Sequence, residues 1–230
     1  MRIGDLVRTF FDGQRMLAVL PELLHGLLVT VEIAGLSLML GVLLGLVLAV
    51  LRVTISRPKN PPLVRMLNLP LVFYVDAFRA IPPLVILVVV YFALPYLGIF
   101  LPRFWSAVLV FVLVLTAFAE EIFRAGIESV NPGQMEAARS LGLTFIQTMV
   151  YVIVPQAFRF VIPPLTSRLI AIAKDVSLAS VIGVSDLLKA AKIDIARSGN
   201  YSALTAAAIL FTLLFLPFIR LSGLAERRLR

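Results

Sequence analysis

Charged side chains embedded in long apolar stretches are the residues of this sequence best placed to do chemistry. Asp76 and Arg79 stand three apart, Glu121 and Arg124 three apart, and Glu120 and Arg124 four apart. On a helix these spacings put the partners on one face and allow ion pairs. Lys174 and Asp175 adjoin each other, and Arg159 and Arg168 precede them. A charge at the centre of a bilayer costs about 2.5–3.5 kcal/mol, so such groups face protein or water. They can stabilise the fold in pairs, meet a charged ligand, or relay protons. Asp76, Arg79, Glu120, Glu121, Arg124, Lys174 and Asp175 are therefore candidates for a polar pathway.

Other chemistries find no residues to carry them. The chain has no cysteine, and His25 is its one histidine, so neither thiolate nor histidine metal sites are expected. None of Lys59, Lys174, Lys189 or Lys192 closes a GxxxxGK[ST] phosphate loop. The chain is not expected to bind ATP itself. HExxH and GxSxG are also absent, which leaves hydrolysis without a motif.

The elements that must position these charges are read from hydropathy. The 230 residues are 60% hydrophobic and 15% charged, with a mean hydropathy of +1.02. A soluble domain carries about 25% charged residues, so lipid is the expected solvent for the apolar excess. The net charge of +8 shows no basic run interleaved with aromatics, and a nucleic-acid partner is not expected. Asp5, Arg8, Asp12, Arg15 and Glu22 interrupt residues 1–22, so a cleavable signal peptide is not expected there.

A spanning helix needs about 20 mostly apolar residues. Gaps between charges give spans at about 23–51, 81–101, 104–126 and 200–220. The region 140–175 is ambiguous: hydropathy allows a span at 141–160 or at 152–173, and Pro155, Pro163 and Pro164 interrupt both. Val176–Leu188 is too short to cross. Arg52, Arg57, Lys59 and Arg65, and the basic tail at 222–230, belong on the cytoplasmic side by the positive-inside rule. Five spans then place the N-terminus outside, with residues 1–22 as an interfacial or periplasmic segment. Trp105 and Tyr96 sit where an outer aromatic belt would lie. Ser37, Gly41, Gly45 and Ala49 form a small-residue stripe on span one. It invites close approach by another helix, from this chain or from a second copy.

The most informative stretch is Asn131–Pro164. Asn131-Pro132-Gly133 signals a turn. Gln134 to Ser140 reads as a short polar helix, with Ala137 and Ala138 leaving room for a partner surface. Gly142 ends that helix or admits a crossing one. Glu136-Ala137-Ala138, Gly142 and Ile153-Val154-Pro155 resemble the EAA pattern of ABC importer permeases. The resemblance is closest to the polar amino acid permeases of the histidine, arginine, glutamine and glutamate systems. Tyr74-Val75-Asp76-Ala77-Phe78-Arg79-Ala80-Ile81-Pro82, Glu121-Ile122-Phe123-Arg124, Gly133-Gln134, Pro155-Gln156-Ala157, Lys174-Asp175 with Ser177-Leu178, and Gly26-Leu27-Leu28-Val29-Thr30 also fit. Val176 departs from the pattern, where the family often has threonine.

The resemblance covers about residues 25–220. It implies an all-α, polytopic fold of the type I importer class, with the permease domain at 23–221. It implies a cytoplasmic coupling loop at about 131–150, docked on a separate ATPase through Gln134, Glu136, Ala137, Ala138, Ser140, Leu141 and Gly142. It also resolves the ambiguous span in favour of 152–173. The implied partners are an ATPase dimer holding ATP and magnesium, a second permease chain, a solute-binding protein, lipid and a polar amino acid. An ion-coupled secondary transporter using Glu120, Glu121 and Asp175, or a non-transporting scaffold, are the alternatives. The inverted repeats common in secondary transporters are not visible.

Overall fold

The computed structural model describes residues 3–56 and 61–229, and among them every regular element is helical. The order is α1 (Ile3–Phe10), α2 (Gly13–Ile55), α3 (Pro62–Met66), α4 (Asn68–Ala80), α5 (Pro83–Ala93), α6 (Arg103–Glu128), α7 (Pro132–Ser140), α8 (Phe145–Thr148), α9 (Val154–Asp175), α10 (Leu187–Ser198) and α11 (Ser202–Leu229). Arg57 and Lys59, taken above as orientation signals, lie outside the described residues.

Among the described residues, four helical runs are long and apolar enough to cross a membrane: Gly4–Ile55, Arg103–Glu128, Phe145–Ile182 and Ser202–Gly223. A fifth is added if Pro62–Ala80 and Pro83–Leu97, bent by 111° at the break between them, count as one broken span. The helix expected over 81–101 is therefore corrected. Proline at 82 pushes Ile81 out of the helical region, to φ −87° and ψ 131°. That break ends α4 and falls at the expected N-terminal edge of the span. The other end is what differs: α5 has 11 residues, about 16 Å of rise against a hydrocarbon core of about 30 Å, before a tighter turn at Leu94–Leu97 and a stop at Gly98, with φ +77°. Hydropathy sees composition and not this stop.

The helix of span one, α2, begins at Gly13, ten residues before the expected edge. The ambiguous region holds one continuous helical run, Phe145–Ile182, which contains 152–173 and all but the first four residues of 141–160. Pro21, Pro163, Pro164 and Pro217 all lie inside helices.

The chain forms two compact units. One comprises Met1–Ser37, Pro83–Phe111 and Ile172–Arg220; the other comprises Leu38–Pro82, Val112–Ala171 and Leu221–Arg230.

In the first unit, Val19 and Leu23 of α2 pack on Leu187 and Ala191 of α10 and on Ala203, Ala206 and Ala207 of α11. The alanines let three helices meet closely. At Gly26 the fit is tightest, since a Cβ there would stand 2.7 Å from the Asp186 carbonyl oxygen. One turn on, the Thr30 hydroxyl donates to the Gly26 carbonyl at 2.9 Å and accepts the Leu187 N–H at 3.2 Å. The N-terminal segment is pinned to the same unit. Thr9 accepts the Tyr201 N–H at 2.8 Å, Phe10 stacks on Tyr201, and Arg15 holds Asp194 at 2.6 Å.

Asp186 carries a testable consequence. It is buried, and one carboxylate oxygen caps α10 by accepting the Lys189 N–H at 2.8 Å. The other oxygen has no hydrogen-bond partner. Burial raises its pKa to about 6, against smaller opposing effects of the Lys189 N–H and Lys192. The folded state therefore holds this proton more tightly than the unfolded chain. Its contribution to stability is full below about pH 4 and is lost as pH rises to about 6. A rise of that size is equivalent to roughly 3 kcal/mol. Asn caps a helix as well as Asp does. In thermal unfolding, the stability of Asp186→Asn relative to the natural protein is expected to improve from pH 4.5 to pH 7.5. An identical difference at both pH values would count against this assignment.

In the second unit the small-residue stripe meets α6. A Cβ on Gly41 would stand 2.8 Å from the Leu115 side chain, and one on Gly45 would stand 2.5 Å from the Ala119 Cβ. Ala49 is fully buried beside Ala119, Phe123 and Val161. Of the two readings left open above, packing within the chain accounts for Gly41, Gly45 and Ala49. Gly126 plays the same part for α6 and α9, where a Cβ would collide with Val161. No spacing signalled that contact.

Candidate functional site

The short helix α7 is fixed at both ends. The Asn131 side chain accepts the Gly133 N–H at 2.8 Å and caps the helix. Pro132 follows at the first helical position, where no donor is needed. At the other end Gly142 takes φ +87°. Its N–H reaches the Arg139 carbonyl at 3.0 Å, and the Leu143 N–H reaches the Ala138 carbonyl at 3.2 Å. This is a Schellman stop, and it needs the left-handed conformation glycine adopts at low cost. Among the described residues, nothing beyond its chain neighbours lies within 4 Å of where a Cβ on Gly142 would stand. Of the two expectations for Gly142, helix termination is the one realised. Immediately afterwards Thr144 and Gln147 form a reciprocal capping box that starts α8.

One side of α7 is anchored. Ala138 is buried, and Met135 packs on Ile127, Val130, Met149 and Ile153. Gln134, Glu136, Ala137, Ser140, Leu141 and Gly142 are all exposed. Leu141 is 82% exposed and Ile146 is 74% exposed, so two large apolar side chains lie on the surface beside this polar helix. The expectation that both alanines face a partner is corrected by half, since Ala138 serves the chain's own core.

The acidic and basic candidates of α6 join a wider network in the same unit. Arg52 of α2 donates to both oxygens of Glu120, at 3.0 and 3.2 Å. Arg124 meets Glu121 at 2.6 Å and Glu128 at 2.7 Å, with Glu120 at 4.0 Å. Arg79 lies 3.5 Å from Glu121. The expected pair between Asp76 and Arg79 does not form: Arg79 turns to α6, and Asp76 is exposed. Three arginines face three glutamates, so the formal charge of the network is zero. That balance suits a structural clasp better than a site awaiting a ligand's charge. Arg52 escaped the sequence reading as a partner because 68 positions separate it from Glu120. Arg168 stacks over the Phe118 ring with its guanidinium carbon 3.2 Å from the centroid, while Arg159 is exposed.

Lys174 and Asp175 belong to the other unit. Lys174 is exposed, and with Ser177, Phe211, Thr212, Phe215, Leu216 and Ile219 it lines a cleft of about 330 Å³. Among the described residues, no group of three or more histidine or acidic side chains could hold a metal ion.

Residues 41–230 match the family model described as the binding-protein-dependent transport system inner membrane component. The chain belongs to that family. This permease is 33% identical to the arginine transport system permease protein ArtQ of Bacillus subtilis, over 95% of this chain and 97% of that one. It is 40% identical to the L-cystine transport system permease protein TcyB of the same organism, over 75% and 70% of the two chains. Among solved structures, the permease resembles a chain of an amino acid ABC transporter crystallised with histidines. The TM-score is 0.80 at 34% identity, covering 94% and 97% of the two chains. It also matches a methionine ABC transporter described as inward facing, with a TM-score of 0.73 at 20% identity, a likeness of fold alone. The permease thus has the type I ABC importer permease fold expected from its EAA residues.

Proposed function

We propose that this chain is the membrane subunit of an importer that moves a polar amino acid inward, driven by ATP hydrolysis in a separate subunit. The observation that carries the reading is the exposed face of α7, a rigid polar helix with bare leucine and isoleucine beside it, projecting between two apolar runs. A surface of that kind suits a protein partner better than water or lipid. The partner is an ATPase dimer, which holds ATP and magnesium, and α7 is the helix it grips through Gln134, Glu136, Ala137, Ser140, Leu141 and Gly142. ATP-driven closure of that dimer would favour one membrane conformation over another by differential binding. The substrate class follows from relatives named for arginine and cystine and from the structure solved with histidines.

A solute-binding protein delivers the amino acid from outside, and two permease chains, identical or paralogous, line the path together. The N-terminus is outside and the C-terminus inside, in the bacterial inner membrane. Lys174, on a polar-edged cleft, is the better candidate for meeting the substrate. The glutamates of α6 already hold their arginines. Asp76, exposed and in no ion pair among the described residues, is the second candidate.

The test uses the permease assembled with its ATPase and binding protein in proteoliposomes, with uptake of radiolabelled arginine, cystine and histidine as readout. A Cβ on Gly142 meets nothing within 4 Å in this chain, so a defect of Gly142→Trp beyond strain is expected to report on the partner. The variant is expected to lower uptake at least about tenfold while membrane insertion stays normal. Gly142→Asn tolerates the left-handed conformation and separates the roughly 1–2 kcal/mol of backbone strain from contact with the ATPase. A membrane-impermeant reagent should label Glu136→Cys from the cytoplasmic side alone. Normal uptake in Gly142→Trp, or labelling of Glu136→Cys from the periplasm, would sink the proposal.

A further inference from the structure

The two glutamines that flank the EAA segment, Gln134 and Gln156, are 22 positions apart in the chain. The fold brings them together. The Gln156 side-chain amide donates to the Gln134 side-chain oxygen at 3.4 Å and to the Val152 carbonyl at 2.8 Å. Val152 lies in the only π-helical turn among the described residues, Met149–Ile153. The cause of that turn is local. Pro155 has no N–H to give the preceding turn, and the Val154 N–H bonds five residues back, to Met149. The helix is widened there, and π turns of this kind gather at functional positions. Apolar packing supports the same junction. Met149, Ile153 and Ala157 form one cluster with Ile127 and Val130, and Met135 of α7 packs against it.

We infer that Gln134 and Gln156 form the side-chain bridge by which movement of α7 is passed into α9, with the π turn before Pro155 as its yielding joint. This rests on the reading of α7 as the ATPase-docking helix. Neither glutamine would need to touch the substrate; both act as positioning residues. The apolar cluster keeps α7 attached when the bridge is cut, but an apolar contact has no direction. The amide bridge fixes the register between Gln134 and the first turn of α9, so that a rotation of one is followed by the other. The widened turn supplies slack that a regular helix lacks.

In the assembled transporter, Gln134→Leu and Gln156→Leu are each expected to lower uptake of the same labelled amino acids per ATP hydrolysed by about three- to tenfold, the range of one neutral hydrogen bond. The double variant should be no worse than the worse single, because both cut one link. Gln134→Glu keeps an acceptor oxygen toward the Gln156 amide and should recover most of what Gln134→Leu loses. Gln156→Glu loses the donor and should behave like Gln156→Leu. Losses that multiply in the double variant would overturn the bridge. So would a silent Gln156→Leu beside a defective Gln134→Leu, which would mean that Gln134 acts through its partner contact alone and not through Gln156. ATPase co-purification and cross-linking from Glu136→Cys are measured on the same preparations. Absence of cross-links in the unaltered background is a failure of the docking reading itself; intact cross-links with an unchanged uptake ratio are a failure of the bridge alone.

Discussion

Arg52→Met is expected to be among the most destabilising single substitutions in this protein, at about 3 kcal/mol or more. The side chain of Glu120 is 1% exposed, and Arg52 supplies its two shortest contacts. Removing one partner of a buried ion pair leaves the other charge uncompensated and costs about 3–5 kcal/mol. Arg124 remains within 4.0 Å of Glu120, which holds the expected loss toward the lower end. Glu120→Gln should cost less, because Arg52 keeps Glu121 at 3.9 Å and its own side chain is 13% exposed. The pair of substitutions Arg52→Met and Glu120→Leu, which replaces both charges with apolar groups of similar size, should recover most of the stability. Thermal unfolding of the detergent-purified permease measures all three. A silent Arg52→Met would mean that Arg124 alone holds Glu120. A double variant as unstable as Arg52→Met would mean that the charge imbalance is not the cause. Transport adds a second reading: if the double variant shifts the KM of uptake, the network lies in the substrate path after all.

The same network shows where the sequence was readable and where it was not. The spacings inside α6 named Glu120, Glu121 and Arg124 because helical neighbours are set by a fixed period. Arg52 and Arg79 come from other helices, and no period reaches across a loop. The motif residues of α7 were legible for a related reason. Asn131-Pro132-Gly133 marks a turn and Gln134 to Ser140 a short helix after it, while the cap by Asn131 and the choice between the two uses of Gly142 needed the folded chain. That Ala138 faces inward and Ala137 outward was not legible, because two adjacent alanines carry no polarity to separate them.

Composition found the apolar runs yet missed the early stop at Gly98, since an average over about 20 residues hides one backbone angle. Of the polar knot of Gly26, Thr30 and Asp186, the first two were visible as parts of a family block without a reason, and Asp186 was not visible at all. The reason is a three-way contact among residues 157 or more positions apart in part, which only the folded chain assembles.

Gly45→Val is the substitution with the other large effect expected. The Gly45 position is crowded on three sides: a Cβ would stand 2.5 Å from the Ala119 Cβ, 3.0 Å from the Glu120 nitrogen and 3.1 Å from the Thr116 oxygen. Two of these neighbours are α6 backbone and the third is a methyl group, so no flexible side chain can yield. Overpacking of a tight contact costs about 1–3 kcal/mol when neighbours can shift. Here the shift must separate α2 from α6, and those helices also carry Arg52 and Glu120. Seven residues along α2, Arg52 would be drawn off a carboxylate that is sealed from water, so the steric cost and the electrostatic cost add. We expect Gly45→Val to abolish a stable fold, seen as loss of the monodisperse peak in detergent, and Gly45→Ala to lower the thermal midpoint measurably. Gly35→Ala is the control, on the same helix with nothing within 4 Å of the added Cβ. Exchanging Gly for Ala in a helix gains about 1 kcal/mol in propensity, so this variant should be neutral or stabilising. If Gly45→Ala proves as harmless as Gly35→Ala, α2 and α6 do not meet as closely as drawn. The stripe would then be free to face a second copy of the chain. If instead Gly45→Val is rescued by Ala119→Gly, the contact between these two helices is established directly, and with it the platform that holds Arg52 against Glu120.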